Sequence, residues 1–505
     1  MNPPSSTDSE PEQDLAKALW SLADVLREDG LSGTEYVEQL TCLIVLKLAQ
    51  EQSLRPLNPV DVIGYDAWGT LQASDGENLL LRYEQALDHL ARRPGTLCLL
   101  FRRAQNRVLD PVKLSRLIEA VGLHSWSRDI STGTGAVYEA LLECLTADHK
   151  TGAGQYFTPR PLIEAIVECV QPGVDDTIID PACGTGGFLI KSFEYLIDHF
   201  PPGVTPAQRA RLDEGAFFGT ELVDATARLA TMNLLLHGMT RADAANSPIT
   251  VGDSLTHTPR QRATLVLTTP PFGRRSTITG GAYGYDRLDF WVATGNRQLN
   301  FLQHVHSLLE TNGRAAVVIP DNVLFEGGAG ERVRRQLLHA CDVHTLLRLP
   351  TGVFYAKGVK ANVLFFDKLA PRPDGRPSTK QLWVYDLRSH RPTPGKASTL
   401  GRADYEDFVS AYRPGRPRSE RVASPVCRAF SVEDLLARDR VNLDLLVAEP
   451  ADEPFASVKA EADLHHMAQE IAGELRSALE ELTALTEALR PYGAGGGRPD
   501  GDSAK

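Results

Sequence analysis

The sequence predicts an α/β protein. A mostly parallel, doubly wound sheet is expected over residues 149–369, with an all-α domain before it and a helical extension after it. Three observations carry this reading. Short apolar runs alternate with helical patterns from about residue 150 to 368. Before that, strand-like alternation is sparse and apolar residues recur at helical spacing. Between the two lies one stretch, Thr177 to Phe188, that passes from an apolar run into three glycines and then an amphipathic helix, the opening of a nucleotide-binding α/β unit.

Met1 to Gln13 is polar and acidic, unlike a secretory signal, and reads as a disordered leader. Residues 14–148 form the helical domain. Leu15, Leu19, Leu22, Ala23 and Leu26 mark a first helix and Asp29-Gly30 breaks it. Leu40, Leu43, Ile44, Leu46 and Leu48 mark a second, and helical patterns continue through 77–92 and 112–121. No catalytic constellation appears there, which favours an interaction or substrate-clamping role. Residues 151–160 (TGAGQYFTPR) form a polar, glycine-rich loop, either a hinge or a cover over a ligand site. Thr158 is expected to cap the next helix with Pro159 in its first turn, and Leu162, Ile163, Ile166 and Val170 to face the core.

The Gly turn after Asp180 lets a backbone approach a ligand closely and opens a helix N-terminus to it. On its own it reads equally as plain architecture. A second strand, 216–222, contains Glu221 near its end, and a third, 249–253, ends in Asp253. Either carboxylate alone would be a cap or loop residue, yet a Rossmann-like site uses an acidic residue there for ribose hydroxyls. A fourth strand, 264–267, runs into Thr269-Pro270-Pro271-Phe272, by itself a rigid turn with a buried ring. Strands are also expected at 314–320, 343–350 and 361–366, with helices at 297–309 and 330–340. Residues 370–450, with two Pro- and Arg-rich stretches, read as a linker and partner-docking region. Over 451–492, Leu464, Met467, Ile471, Leu475, Leu479, Leu482, Leu485 and Leu489 fall three or four apart, one apolar helix face suited to a partner. Residues 493–505 read as a disordered tail.

The chain of 505 residues carries a net charge of −12, with only local basic clusters: Arg102-Arg103, Arg274-Arg275, Arg332 with Arg334-Arg335, and Arg413 with Arg416, Arg418 and Arg421. A protein gripping nucleic acid unaided carries a basic face, so a nucleic-acid substrate would require help from a partner. The seven cysteines form no CxxC pair and read as reduced and mostly buried in a cytoplasmic protein. Histidine spacing predicts no metal. No apolar run reaches the roughly 18–20 residues of a membrane span.

The Gly turn, Glu221, Asp253 and the Pro-Pro-Phe loop converge at strand ends. A dinucleotide site would favour GxGxxG and has no use for the last of these. S-adenosylmethionine fits better. Asp180 to Phe188 (DPACGTGGF) resembles the first motif of N6-adenine DNA methyltransferases, residues 155–160 look like their cofactor-covering loop, and Thr269 to Phe272 matches their Asn/Asp-Pro-Pro-Phe/Tyr position. Residues 314–328 (RAAVVIPDNVLFEGG) and 349–357 (LPTGVFYAK) are similar to the modification subunit of Type I restriction–modification systems, and the likeness spans nearly the whole chain. It implies that Gln155, Tyr156, Phe157, Thr158, Pro159, Arg160, Asp180, Thr185, Gly186, Gly187 and Glu221 bind S-adenosylmethionine and that Asp253 meets its adenine. It implies that Phe272 stacks on a flipped base while Thr269 and the Pro270 carbonyl accept from its amine, with Pro271 keeping the loop rigid. The partners implied are DNA, a specificity subunit with two copies of this chain, and a restriction/translocase subunit.

Thr269 departs from the family, which has Asn or Asp there. One missing aligned acceptor in a dry site costs roughly 2.7–4 kcal/mol, by analogy with an oxyanion-hole donor. Three readings stay open: a slower adenine methylase, a cytosine-N4 methylase (that class commonly has Ser), or a subunit that binds without efficient transfer. Intact cofactor residues favour a retained methyltransferase.

Overall fold

The computed structural model describes residues 10–447 apart from 28–29, 52–66, 93–95, 125, 127–133, 148–156, 201–202, 240–246, 273–286, 355–359 and 390–399. Gln155, Tyr156, most of the leader, the 451–492 helix and the tail lie outside the described residues.

The chain opens with α1 (Glu10–Arg27), α2 (Gly33–Gln50), α3 (Ala67–Gln72), α4 (Gly76–Ala91), α5 (Thr96–Phe101), α6 (Pro111–Gly122) and α7 (Thr134–Ala147). Helix α1 begins inside the expected leader, so residues 10–13 are helical. The helix starts are written locally. Ser32 accepts from the Glu35 N–H while the Glu35 carboxylate accepts from the Ser32 N–H, a reciprocal cap on α2. Asp110 caps α6 with Pro111 in its first turn. Leu19, Ala23 and Leu26 pack against Leu40, Leu43, Ile44, Leu46 and Leu48, all buried.

There follow α8 (Arg160–Val170), β1 (Ile178–Asp180), α9 (Gly187–Asp198), α10 (Pro206–Glu214), β2 (Phe217–Glu221), α11 (Asp224–Leu236), β3 (Ile249–Val251) and β4 (Ala263–Thr268). Then come α12 (Arg297–Leu308), β5 (Leu309–Pro320), α13 (Asn322–Phe325), α14 (Ala329–Ala340), β6 (Cys341–Arg348), β7 (Ala361–Lys368), β8 (Gln381–Asp386), α15 (Glu406–Tyr412), β9 (Cys427–Ser431) and α16 (Val432–Ala437). The strands form one sheet in the order β3-β2-β1-β4-β5-β7-β6-β8-β9. From β3 to β5 every pairing is parallel, and β7 runs antiparallel between β5 and β6. Side chains alternate between two buried faces, Val318, Val363 and Phe365 on one and Val317, Leu364 and Phe366 on the other.

Two expectations about boundaries need correction. The sheet does not stop at residue 369. Strands β8 and β9 lie in the stretch read as a linker, β8 parallel to β6 and β9 antiparallel to β8. Flanking prolines and arginines obscured a short run, Leu382-Trp383-Val384-Tyr385, that buries both its faces. Nor does the core of the helical region end with residue 148. Leu229, Met232, Leu235 and Leu236 of α11 belong to its core, while Ala227, Ala230 and Leu234 of the same helix face the sheet. Arg228 bridges Glu38 at 2.7 Å and Asp224 at 3.0 Å across this junction.

A chain cut after residue 369 exposes β6 as an open edge and loses the cover that Trp383 and Tyr385 give to the core around Leu347 and Phe365. It is expected to aggregate on expression, whereas a chain ending at 447 stays soluble, as size-exclusion chromatography would read directly.

Candidate functional site

Strands β1 and β4 are parallel neighbours, with Ile179 opposite Val266. Their carboxyl ends therefore deliver the Gly turn and the Thr-Pro-Pro-Phe loop to one edge of the sheet, where doubly wound sheets bind ligands. A narrow cleft lies there. Phe157, Thr158 and Arg160 line it from the entry loop, Asp180, Thr185 and Gly187 from the turn, and Thr269 from the end of β4.

The glycines are required by contact. Gly186 has φ +86°, and a Cβ there would lie 2.7 Å from Leu234. A Cβ on Gly187 would lie 1.6 Å from the Arg160 guanidinium. Helix α9 starts at Gly187 without a side-chain cap, so its first N–H groups remain for an anionic ligand or water.

Asp180 is buried, and its Oδ1 accepts from the Ala182 N–H at 3.0 Å. Burial pushes its carboxyl up to about 7, against the pull of the Thr268 hydroxyl and the Ala182 N–H, while nearby Glu221 adds to the rise. Glu221 ties β2 to the turn: it accepts from the Gly184 N–H at 3.2 Å and from the Val223 N–H at 2.8 Å. Burial raises its pKa despite those bonds. Asp253 closes its own turn, accepting from the Leu255 N–H at 2.9 Å. The adjacent Ser254 donates to the Pro181 carbonyl at 2.6 Å. Glu221 and Asp253 thus flank the Gly turn without lining the cleft, and each already has a structural bond.

Thr158 does not cap α8. That helix starts at Arg160, with Pro159 at the cap and Pro161 in its first turn. The Thr158 hydroxyl instead donates to the Thr269 hydroxyl at 2.8 Å. Pro270 is buried, Gln298 of α12 donates to the Pro271 carbonyl, and Phe272 meets Phe354 edge-on at 5.1 Å.

Sequence reasoning missed the support beneath this cleft. Glu139 of α7 is largely buried, its side chain 12% exposed, and Arg160 grips both its oxygens, Nη2 at 2.8 Å to Oε1 and Nε to Oε2. Asn233 of α11 donates to the same carboxylate and, at 3.0 Å, to the Thr185 carbonyl in the Gly turn. Burial pushes Glu139 up, but Arg160, His237 and Asn233 together hold it below the usual carboxylate value. A signal existed: Glu139 and Asn233 are single polar residues on otherwise apolar helical runs, YEALL and MNLLL.

Residues 129–447 match the N-6 DNA methylase family. The chain is 35% identical to the Type I restriction enzyme EcoKI methylase subunit of Escherichia coli K12, over 94% of this chain and 95% of that protein. It is likewise 35% identical to the StySPI methylase subunit of Salmonella potsdam, over 95% and 96%. Among solved structures, one from a study of complex assembly and conformational transition in the type I R-M system aligns with a TM-score of 0.68 and 28% identity, covering 96% of this chain and 99% of its own.

Two outcomes test the site. Gly187→Ala drives a methyl group into the guanidinium paired with Glu139, and is expected to cost about 3 kcal/mol by breaking a buried pair, read by denaturant unfolding. Asp180 binds its proton more tightly in the fold than in the unfolded chain. That contribution is complete below the ordinary carboxylate value of 3.8 and is lost as pH rises through about 7. The loss is on the order of 4 kcal/mol at most. Asp180→Asn should therefore raise the melting temperature of the ligand-free protein at pH 8, with the gain vanishing near pH 4.

Proposed function

Because this chain belongs to the N-6 DNA methylase family, among the methylase subunits of Type I restriction enzymes, we propose that its cleft aligns an exocyclic amine of DNA with the methyl group of S-adenosylmethionine, with Thr269 retaining transfer in place of Asn or Asp. The chain is an S-adenosylmethionine-dependent DNA methyltransferase subunit, with the N6 amine of adenine as methyl acceptor. The observation that carries the site reading is the single cleft joining the Gly turn, the entry loop and Thr269.

The residues fit the cofactor. The uncapped start of α9 suits its carboxylate, the bare Gly186–Gly187 backbone permits close approach, and Asp180 and Glu221 suit its cationic and hydroxyl groups. When bound, S-adenosylmethionine supplies an electrophilic sulfonium methyl. The chain does the aligning. Phe272 stacks on the flipped base. Thr269 and the Pro270 carbonyl accept from the amine and hold its lone pair towards the methyl. Gln298, through the Pro271 carbonyl, keeps that loop in place. Glu221 holds ribose hydroxyls with its remaining lone pairs, and Asp253 meets the adenine of the cofactor. Tyr156 and Phe157 cover it. Catalysis is alignment and electrostatics, with no covalent intermediate on the protein.

Type I restriction–modification places this subunit with specificity and restriction subunits on DNA. We assign it two copies per specificity subunit, a C-terminal helix that docks on that partner, and a cytoplasmic site of action.

Labelled methyl transfer to unmodified DNA, with the specificity subunit present, tests this reading. Incorporation is expected from the wild type, and Thr269→Asn should raise it by about 100- to 1,000-fold if one acceptor was missing. Silence from the wild type with rescue by the variant would mean a binding subunit, and N4-methylcytosine in the product would move the target to cytosine.

A further inference from the structure

We propose that Thr158 is a positioning residue for methyl transfer, acting through Thr269 as one half of a two-hydroxyl unit that stands where the family has a single carboxamide or carboxylate. The inference rests on the function proposed above and adds a residue to its machinery.

The two side chains come from segments 111 residues apart and meet at 2.8 Å on the wall of the cleft. The Thr158 hydroxyl is available for this because it caps nothing: α8 begins beyond it, at Arg160. Its backbone has little freedom. Pro159 follows it, and Arg160 is gripped by the largely buried Glu139 carboxylate. Thr269 is held as firmly on its other side, by buried Pro270 and by Gln298 on the Pro271 carbonyl. Among the described residues, the hydrogen bond that reaches the Thr269 hydroxyl itself is the one from Thr158, and it holds the rotamer of that side chain.

That rotamer decides whether the site works. Threonine carries a hydroxyl and a methyl on the same carbon, and only the right rotamer turns the oxygen to the incoming amine. A hydroxyl offers two acceptor lone pairs, so with the Thr158 proton on one of them the other remains for the amine N–H. Thr158 thus supplies, through one hydrogen bond, the placement of the oxygen that the short Thr269 side chain lacks by itself. The bond also joins the entry loop to the catalytic loop, so the acceptor is set only when the loop beside the cofactor is in place.

A structural reading competes: the pair might do no more than close the loop over the cleft. Thr158→Val keeps the shape and removes the donor, and Thr158→Ser restores the donor. The test uses the full chain with its specificity subunit and unmodified DNA, measuring kcat by labelled methyl transfer and cofactor Kd by titration. Thr158→Val is expected to lower kcat about tenfold while Kd moves less than about twofold, and Thr158→Ser to recover most of the loss. In a Thr269→Asn background, where the acceptor is already oriented, Thr158→Val should lower kcat by less than about threefold. An equal loss in both backgrounds, a parallel loss of cofactor affinity, or no loss at all would overturn the proposal. Absence of transfer by the wild type would instead overturn the function itself.

Discussion

The buried carboxylate of Glu139 is the constraint on which the site depends. A charge taken out of water is tolerated only when it is paired and hydrogen-bonded. Here Arg160 supplies a two-pronged pair and Asn233 a further donor. The three residues come from α7, α8 and α11, so satisfying one charge fixes three helices around the Gly turn. Removing one partner would leave the charge unpaired, which typically costs about 3–5 kcal/mol. Arg160 can reach its place only because residue 187 has no side chain, and Asn233 extends the lock to the Thr185 carbonyl. The glycine that looks like a phosphate-binding feature in sequence is also there for an ion pair.

This lock reinforces a junction at which one helix joins the core of the helical region to the core of the sheet. Helix α11 has apolar residues on two faces, one turned to the sheet and one to the N-terminal helices. A helix apolar all round must be buried all round. The N-terminal helices cover it, and Glu139 comes with them. The Gly turn is therefore held from below through Glu139 and Asn233, with the N-terminal helices behind them.

The parallel strands and the Gly turn were legible because their signals are local: an apolar run, glycines, then a 3.6-residue period. The convergence of Asp180, Thr185, Gly187 and Thr269 on one cleft followed from strand order, which the position of each motif after a strand already implied. Thr158 was misread because a Thr-Pro pair before a helix is a good local cap, and nothing local reveals a competing hydroxyl from residue 269. Glu139 stayed hidden because its meaning depends on residues 21 and 94 positions away. Strand β8 was lost for a different reason: its flanks are rich in proline and arginine, and composition outweighed a run of four buried residues.

The arginine clusters complete the electrostatic picture. Arg102 pairs with Asp224, and Arg418 with Asp342 and Asp367. Arg334 is buried and donates to the carbonyls of Val323, Glu326, Arg440 and Val441. Arg421 bonds the Thr345 hydroxyl and the Tyr412 carbonyl, and stacks on the Tyr412 ring at 4.4 Å. These cations hold the fold and are spent before DNA arrives. Phosphate binding gains its strength from releasing counterions to unspent lysines and arginines. In a chain of net charge −12, Arg102, Arg334, Arg418 and Arg421 are committed in this way and gain little from that source. On the function proposed above, the energy to hold and open a duplex comes largely from other subunits, and this chain contributes the part that needs close placement and little charge.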